Sequence, residues 1–444
     1  MAQKPEEIIS YFSSLPTLST IEIPADKLIH AFEGNKRFPE SLLQKFISVN
    51  KKSLSFLGID ASISQIGYKL KLILSTSRFT GSAPLISPAD GKKFSDFNVT
   101  GRYGEELGEL LSLIDDSITP EYSESLTLFT NSSHKPPIYI ECCKFLDKYL
   151  EARRFRWTKF DSEMRIQRHP NGGTLWDKYA VDTATDPFSK LSFPNRCNIL
   201  EVNHIEWQQI NYVLGIAISH LELYKTPVKA RLSYLDKISF LKRILMDSPK
   251  RKTNVLQGRM SDPKVIKELK EIGNLILNSE TNLKLAWRVD YADFFEKYVQ
   301  YLVSAVAKRK GGTFYPNIHF PIVGKKPKWG LAYLEPDMVL KRGDSKVIID
   351  AKYKSHMYNW NDYSDDLKDS FRHDLHQIMA YSSFVNTGEK SILLIYPFSS
   401  FVQHRMTAQS PLDSTVVNIT LVGIPISKKE VVNVEAKLSE LIKL

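Results

Sequence analysis

Residues 347–350 read Val-Ile-Ile-Asp, and the chain continues Ala-Lys-Tyr-Lys, so an apolar run stops abruptly at a carboxylate. Consecutive β-branched residues favour a strand. A carboxylate at the end of a core strand is costly to bury unless it is paired or meets a cation. Residues two apart in a strand share a face, so Asp350 and Lys352 point the same way. The turn Arg342-Gly343-Asp344-Ser345 folds this strand, read over 346–354, onto one read over 331–340, in which Asp337 follows Pro336. One hairpin therefore gathers two carboxylates and an ammonium. Two carboxylates form a hard oxygen site suited to Mg²⁺. Such an ion stabilises charge on a phosphoryl oxygen and lowers the pKa of a bound water. Lys352 is placed to position that water or to offset negative charge in the transition state.

The flanking segments supply the rest of a domain. Periodicity predicts a helix over 291–310, with Phe294, Phe295, Tyr298, Leu302 and Val306 along one side. A strand over 313–322 precedes the hairpin. A helix over 363–385, strands over 391–398 and 416–422, and a helix over 428–441 follow. The order is αβββαβ with an appended βα. In the helix after the hairpin, Gln377 and Tyr381 stand at i, i+4 on one face. The amide is suited to hydrogen-bond a water or Lys352, and the hydroxyl to reach a phosphate. In the helix before it, Glu296 lies beside the aromatic stripe as a candidate third carboxylate at the metal.

The set Glu-Pro-Asp-Met-Val-Leu (335–340), Ile-Ile-Asp-Ala-Lys-Tyr-Lys (348–354) and Gln-Ile-Met-Ala-Tyr (377–381), in this element order, resembles the PD-(D/E)XK nuclease superfamily. The Gln-x-x-x-Tyr addition and the Phe-Phe-Glu of the first helix resemble the McrC-type nuclease subunits of McrBC restriction systems. The phrases at 77–88 and 136–145 are similar to their LlaJI-type relatives. Such subunits often carry Thr between the Asp and the Lys; here Ala351 stands there, with its side chain pointing away from the site. The resemblance implies Mg²⁺-dependent (or Mn²⁺-dependent) cleavage of double-stranded DNA. It also implies a partner, an AAA+ GTPase that translocates on DNA and whose hydrolysis the subunit stimulates. The chain has no Walker A sequence, since Gly91-Lys92-Lys93 lacks both the first Gly and the Ser/Thr, so this chain is expected to bind no nucleotide and any nucleotide hydrolysis falls to another chain.

Upstream, the chain reads as a mixed α/β region over 1–137 and a mostly helical region over 138–284, before the nuclease domain at 285–444. The whole is α/β, or α+β in overall class. In the first region, residues 64–75 read as a strand, 80–93 as turns and 116–137 as a connector. In the second, 168–198 read as loops, and helices are expected over 204–223, 231–246 and 263–277. Residues 1–140 hold 14 Lys/Arg against 16 Asp/Glu, residues 141–350 hold 36 against 24, and residues 351–444 hold 10 of each. The net +10 therefore sits in the middle, where a polyanion would be attracted and its binding would depend on salt. Two basic–aromatic clusters are candidate DNA contacts: Arg153, Arg154 and Arg156 around Phe155 and Trp157, and Lys325, Lys326 and Lys328 before Trp329. The slightly acidic first region suits a protein partner better than DNA.

Three cysteines, two of them adjacent, form neither a disulfide framework nor a metal spacing and suit a reducing compartment. No signal-like start and no membrane-length apolar run occurs, so a cytoplasmic location is expected. Two other functions fit the same residues. One is a stand-alone type II restriction endonuclease; the other is a non-catalytic regulatory subunit of an AAA+ motor.

Overall fold

The structure, a computed structural model, describes residues 6–32, 39–66, 69–102, 107–111, 113–114, 118–129, 136–224, 226–280, 285–325, 327–384, 390–409 and 416–442. It is mixed α/β and falls into two compact units, one of residues 1–137 with 283–444 and one of residues 138–282. The regions 1–137 and 285–444, separate in the sequence reading, thus share one unit.

The joint inside the first unit is a strand. Leu285–Asp290 lies in the sheet of the N-terminal region, antiparallel to Phe79–Ile86 on one side and Glu121–Thr127 on the other. Two expectations are corrected here. Residues 80–86 read as turns because of Gly81 and Pro84, yet they are a buried strand. The polar connector expected over 116–137 contains the strand Glu121–Thr127, whose partner lies about 160 residues away in sequence, beyond the reach of local pattern. The segment read as one strand over 64–75 is the end of Ile59–Ile66 and most of Lys69–Thr76, which pair as a hairpin. Apolar residues of the N-terminal region and of Leu285–Asp290, among them Phe12, Phe46, Leu72, Leu85, Phe97 and Ala286, form one core.

Asp290 ends the joining strand and caps the next helix, its carboxylate accepting from the Ala292 N–H at 2.9 Å. The helix Tyr291–Lys310 buries Phe294, Phe295, Tyr298, Leu302 and Val306 and stops at Gly311, whose φ of +65° is the usual left-handed ending. A six-stranded mixed sheet follows, in the order Thr313–Pro316, Met338–Arg342, Ser345–Ala351, Lys390–Pro397, Val416–Ile424, Val402–Gln409. The first three strands are antiparallel; Ser345–Ala351, Lys390–Pro397 and Val416–Ile424 run parallel. The edge strand Val402–Gln409 was not expected from the sequence, because half of its residues are exposed and polar. The strands expected over 313–322 and 331–340 are each broken, with the short hairpin Phe320–Pro321/Tyr333–Leu334 standing off the main sheet. Helix Asp365–Ser382 covers one face of the sheet through Ile378 and Tyr381, against Ile348, Ile392, Leu394 and Tyr396.

The second unit packs helices Tyr139–Phe155, Ile205–Glu222, Val228–Met246 and Lys264–Glu280 around Phe145, Tyr149, Trp207, Ile210, Leu214, Leu241 and Leu269. It is not wholly helical. Lys159–Gln167 and Phe193–Glu201 form a nine-residue antiparallel ribbon, and helix Trp176–Thr185 lies between them in sequence, where loops were expected. Lys159–Gln167 is exposed along nearly its whole length, so the usual alternation of buried and exposed residues is missing. No described helix is long and apolar enough to cross a membrane.

Candidate active site

The hairpin of Met338–Arg342 and Ser345–Ala351 turns at Gly343, whose φ of +57° suits a residue without a Cβ. Its register pairs Met338 with Ile349, so Asp337, one residue further, stands opposite Asp350. The Asp337 carboxylate accepts from the Ala351 N–H at 2.8 Å. Lys352 Nζ lies 2.8 Å from Asp350 Oδ2, and the Lys352 N–H donates to the carbonyl of Ile395 in the parallel neighbour strand. Asp350 is fully buried, and neither of its carboxylate oxygens has a hydrogen bond of good geometry. The ion pair with Lys352 is its compensation, and it covers one oxygen only.

Burial, then the Asp350 and Glu296 carboxylates, push the Asp337 carboxyl above the usual range, against Lys352 and the Ala351 N–H. Burial likewise raises Asp350, with Lys352 opposing. For Lys352 burial acts downward but is outweighed by Asp350 and Asp337, so its ammonium is held above the ordinary value. Two like charges facing each other at the end of a core strand are thus strained in their ionised form.

Glu296 lies at the edge of this group. Its Oε1 accepts from Gln300 Nε2 at 2.9 Å and from Asn317 Nδ2 at 3.1 Å. The Asn317 N–H donates to the carbonyl of Asp337 at 3.0 Å. Burial raises the Glu296 carboxyl, with Asp350 a lesser contributor in the same direction. Among the described residues, no set of three or more His, Cys, Asp or Glu stands close enough to hold a metal ion. Glu296 is thus engaged by two amides and does not close a three-acid set with Asp337 and Asp350. Gln377 and Tyr381 lie on one face of helix Asp365–Ser382, but the Gln377 amide donates to the Tyr381 hydroxyl at 2.8 Å. Burial raises the Tyr381 phenol.

The sequence reading missed Asp374, on the same helix. It is 1% exposed, accepts from Lys354 Nζ at 2.6 Å and from the Tyr396 hydroxyl at 3.2 Å, and raises Asp350 electrostatically. Its signal was the charge at one position of an otherwise apolar face, with Ile378 one turn on. Also missed was Lys270 in the second unit, 2% exposed between Asp262 (2.7 Å) and Glu206 (2.6 Å).

Of the basic residues expected to meet DNA, Lys325 and Lys328 are exposed beside Trp329, which is 87% exposed; Lys326 lies outside the described residues. Arg309 and Lys310, also basic, turn to helix Val431–Leu441 and its end, pairing with Glu435 and the carbonyl of Ile442. Arg153, Arg154 and Arg156 are exposed at the end of helix Tyr139–Phe155.

Residues 237–397 match the family model described as McrBC 5-methylcytosine restriction system component. No curated protein matches. Among solved structures, the chain is similar to one from an assembly of Thermococcus gammatolerans McrB AAA+ hexamers with bound McrC, at 12% identity and a TM-score of 0.41, covering 97% of this chain and 100% of that one. A second, from the McrBC complex of the same organism, shows 10% identity and a TM-score of 0.28, covering 66% of this chain and 88% of that one. The paired carboxylates, Lys352, Gln377 and Tyr381 all fall within the segment, residues 237–397, that is similar to the McrBC restriction-system component family.

Proposed function

We propose that the chain is the nuclease subunit of a restriction system, hydrolysing phosphodiester bonds of double-stranded DNA at the hairpin of Asp337 and Asp350, and that its core is of the PD-(D/E)XK kind. One observation carries this reading: Asp350 is a fully buried carboxylate, facing Asp337, with no hydrogen bond of good geometry to either oxygen. With one ammonium, Lys352, set against two buried carboxylates, such an arrangement is costly unless a second cation joins it. The oxygen donors fit Mg²⁺ or Mn²⁺ in type, and Asp337 and Asp350 would hold the ion. When bound, that ion supplies charge neutralisation at the scissile phosphate and acidifies a water.

The protein's own groups do the rest. Asp350 holds Lys352 charged, so the ammonium is available to orient the attacking water or to balance charge in the transition state. Asp374 fixes Lys354 and Tyr396 behind the strand and keeps the Asp350 segment in place. Tyr381 and Gln377 form a polar ledge suited to a backbone phosphate. Lys325 and Lys328 are offered to the phosphates along the duplex. The nucleotide-driven partner is an AAA+ GTPase of the McrB kind, as the resemblance to McrC-type subunits implies, and this sequence has no P-loop of its own. The site of action is the cytoplasm.

The test is cleavage of supercoiled plasmid by the full chain with Mg²⁺, with and without the motor subunit and GTP. Asp350→Ala and Lys352→Ala each reduce cutting by at least about a hundredfold while the circular dichroism spectrum is kept. Undiminished cutting by Asp350→Ala removes the site assignment. Full cutting without motor and GTP replaces the partner reading with a stand-alone endonuclease.

A further inference from the structure

In the second unit a cavity of about 390 Å³ opens beside the end of helix Tyr139–Phe155 and the start of helix Ile205–Glu222. That volume lies within the usual range for small-molecule pockets. Three core aromatics reach its wall beside Ala152, Val202 and Ile244: Tyr149 is stacked on Trp207 at 5.3 Å, and Trp157 stands edge-on to Trp207 at 6.5 Å. Arg153 and Arg156 also line it, and no carboxylate does. Lys159 at 4.4 Å and Lys270 at 5.0 Å sit over the Trp157 ring, but both are paired with Glu206 and Asp262, so the cavity's own positive charge comes from Arg153 and Arg156. At the rim, the exposed Asn203 carries an amide with both a donor and an acceptor.

Arg156 is held in an unusual way. It ends its helix with φ +50°, in the left-handed region. A residue with a Cβ is strained there, and glycine is the common choice. The strain fixes the path of the chain just where Arg156 reaches the cavity. An aromatic hollow, cations at its mouth and an amide at its rim match one chemistry: a nucleobase inside, its phosphate held by guanidinium groups.

We propose that this cavity is a binding site for a single nucleotide unit, an unpaired base with its phosphate, taken from a nucleic acid strand. The site lies wholly within residues 138–282 and does not depend on the nuclease assignment. An unpaired base becomes available wherever a duplex is opened or a strand is cut, so the pocket gives the basic middle unit a way to retain a strand and not merely to attract a duplex.

Tryptophan fluorescence of the full chain, in a Trp329→Phe background and with a chelator present, tests this. The probes are inorganic phosphate, a deoxynucleoside monophosphate and a single-stranded oligonucleotide. Quenching by the oligonucleotide, weakened about tenfold or more in Arg153→Gln and in Arg156→Gly, supports the site. Arg156→Gly is the informative variant: glycine suits the left-handed position, so its thermal unfolding is unchanged or raised while binding falls. Quenching by the monophosphate as well places recognition in one nucleotide unit. Quenching by the monophosphate and not by the oligonucleotide overturns the strand as the source, and an equal response to inorganic phosphate overturns the base. Binding unaffected by both arginine variants overturns the pocket. Asp350→Asn retains the binding, so a failed active-site assignment and a failed pocket are told apart.

Discussion

Asp337 and Asp350 face each other across a hairpin because a two-residue turn at Gly343-Asp344 sets the register, and that much was legible in the sequence. Residues two apart share a face whatever the rest of the chain does, so Lys352 was legible too. Asp374 was not, because its partners Lys354 and Tyr396 come from two other elements that only the folded sheet brings together. The carboxylates also predict a pH dependence. Asp337 has a folded-state pKa above its unfolded value, so the folded state binds more protons and stability falls as pH rises from the ordinary carboxylate range through the raised one. Asp337→Asn removes this loss and keeps an oxygen for the Ala351 N–H. Thermal melts without divalent ions are expected to show the variant more stable than the parent at pH 8, by about 1 kcal/mol or a few degrees, with no advantage near pH 4. Equal melting at both values contradicts a strained carboxylate pair.

At the scale of elements, the strands Ser345–Ala351, Lys390–Pro397 and Val416–Ile424 and most helices were legible, whereas the strands of the N-terminal sheet and the helix Trp176–Thr185 were not. The helix expected over 291–310 has its stop signal next to it, the Lys-Arg-Lys run before Gly311. Strands Phe79–Ile86, Glu121–Thr127 and Leu285–Asp290 instead gain their stability from one another across long sequence separations. Gly81 is the tightest point of that joint: a Cβ there would sit 2.0 Å from the carbonyl oxygen of Trp287, at a φ of +153°. Gly81→Ala is therefore expected to lower stability by about 3 kcal/mol or more in denaturant unfolding. A loss below about 1 kcal/mol would show that the two strands do not approach so closely.

Across the whole molecule, the N-terminal region and residues 285–444 are not independent pieces. Leu285–Asp290 pairs on both edges with strands of residues 1–137 and then caps the helix that carries Glu296. The Thr17 and Tyr353 hydroxyls meet at 2.5 Å, one residue past Lys352. Removing residues 1–137 leaves this strand without a sheet. A chain truncated there is expected to lose cooperative unfolding and all cutting, as read by circular dichroism and plasmid assay; a folded truncated chain that still nicks DNA contradicts the shared unit.

The central claim is that the buried, facing carboxylates exist to hold a divalent cation. Calorimetric titration of Mn²⁺ into the full chain, with a duplex present, tests it most directly. The account predicts a binding event that is lost in Asp337→Asn and in Asp350→Asn, and retained in Lys352→Ala, whose ammonium serves the water and not the metal. Mn²⁺ binding of undiminished affinity in both aspartate variants would contradict it.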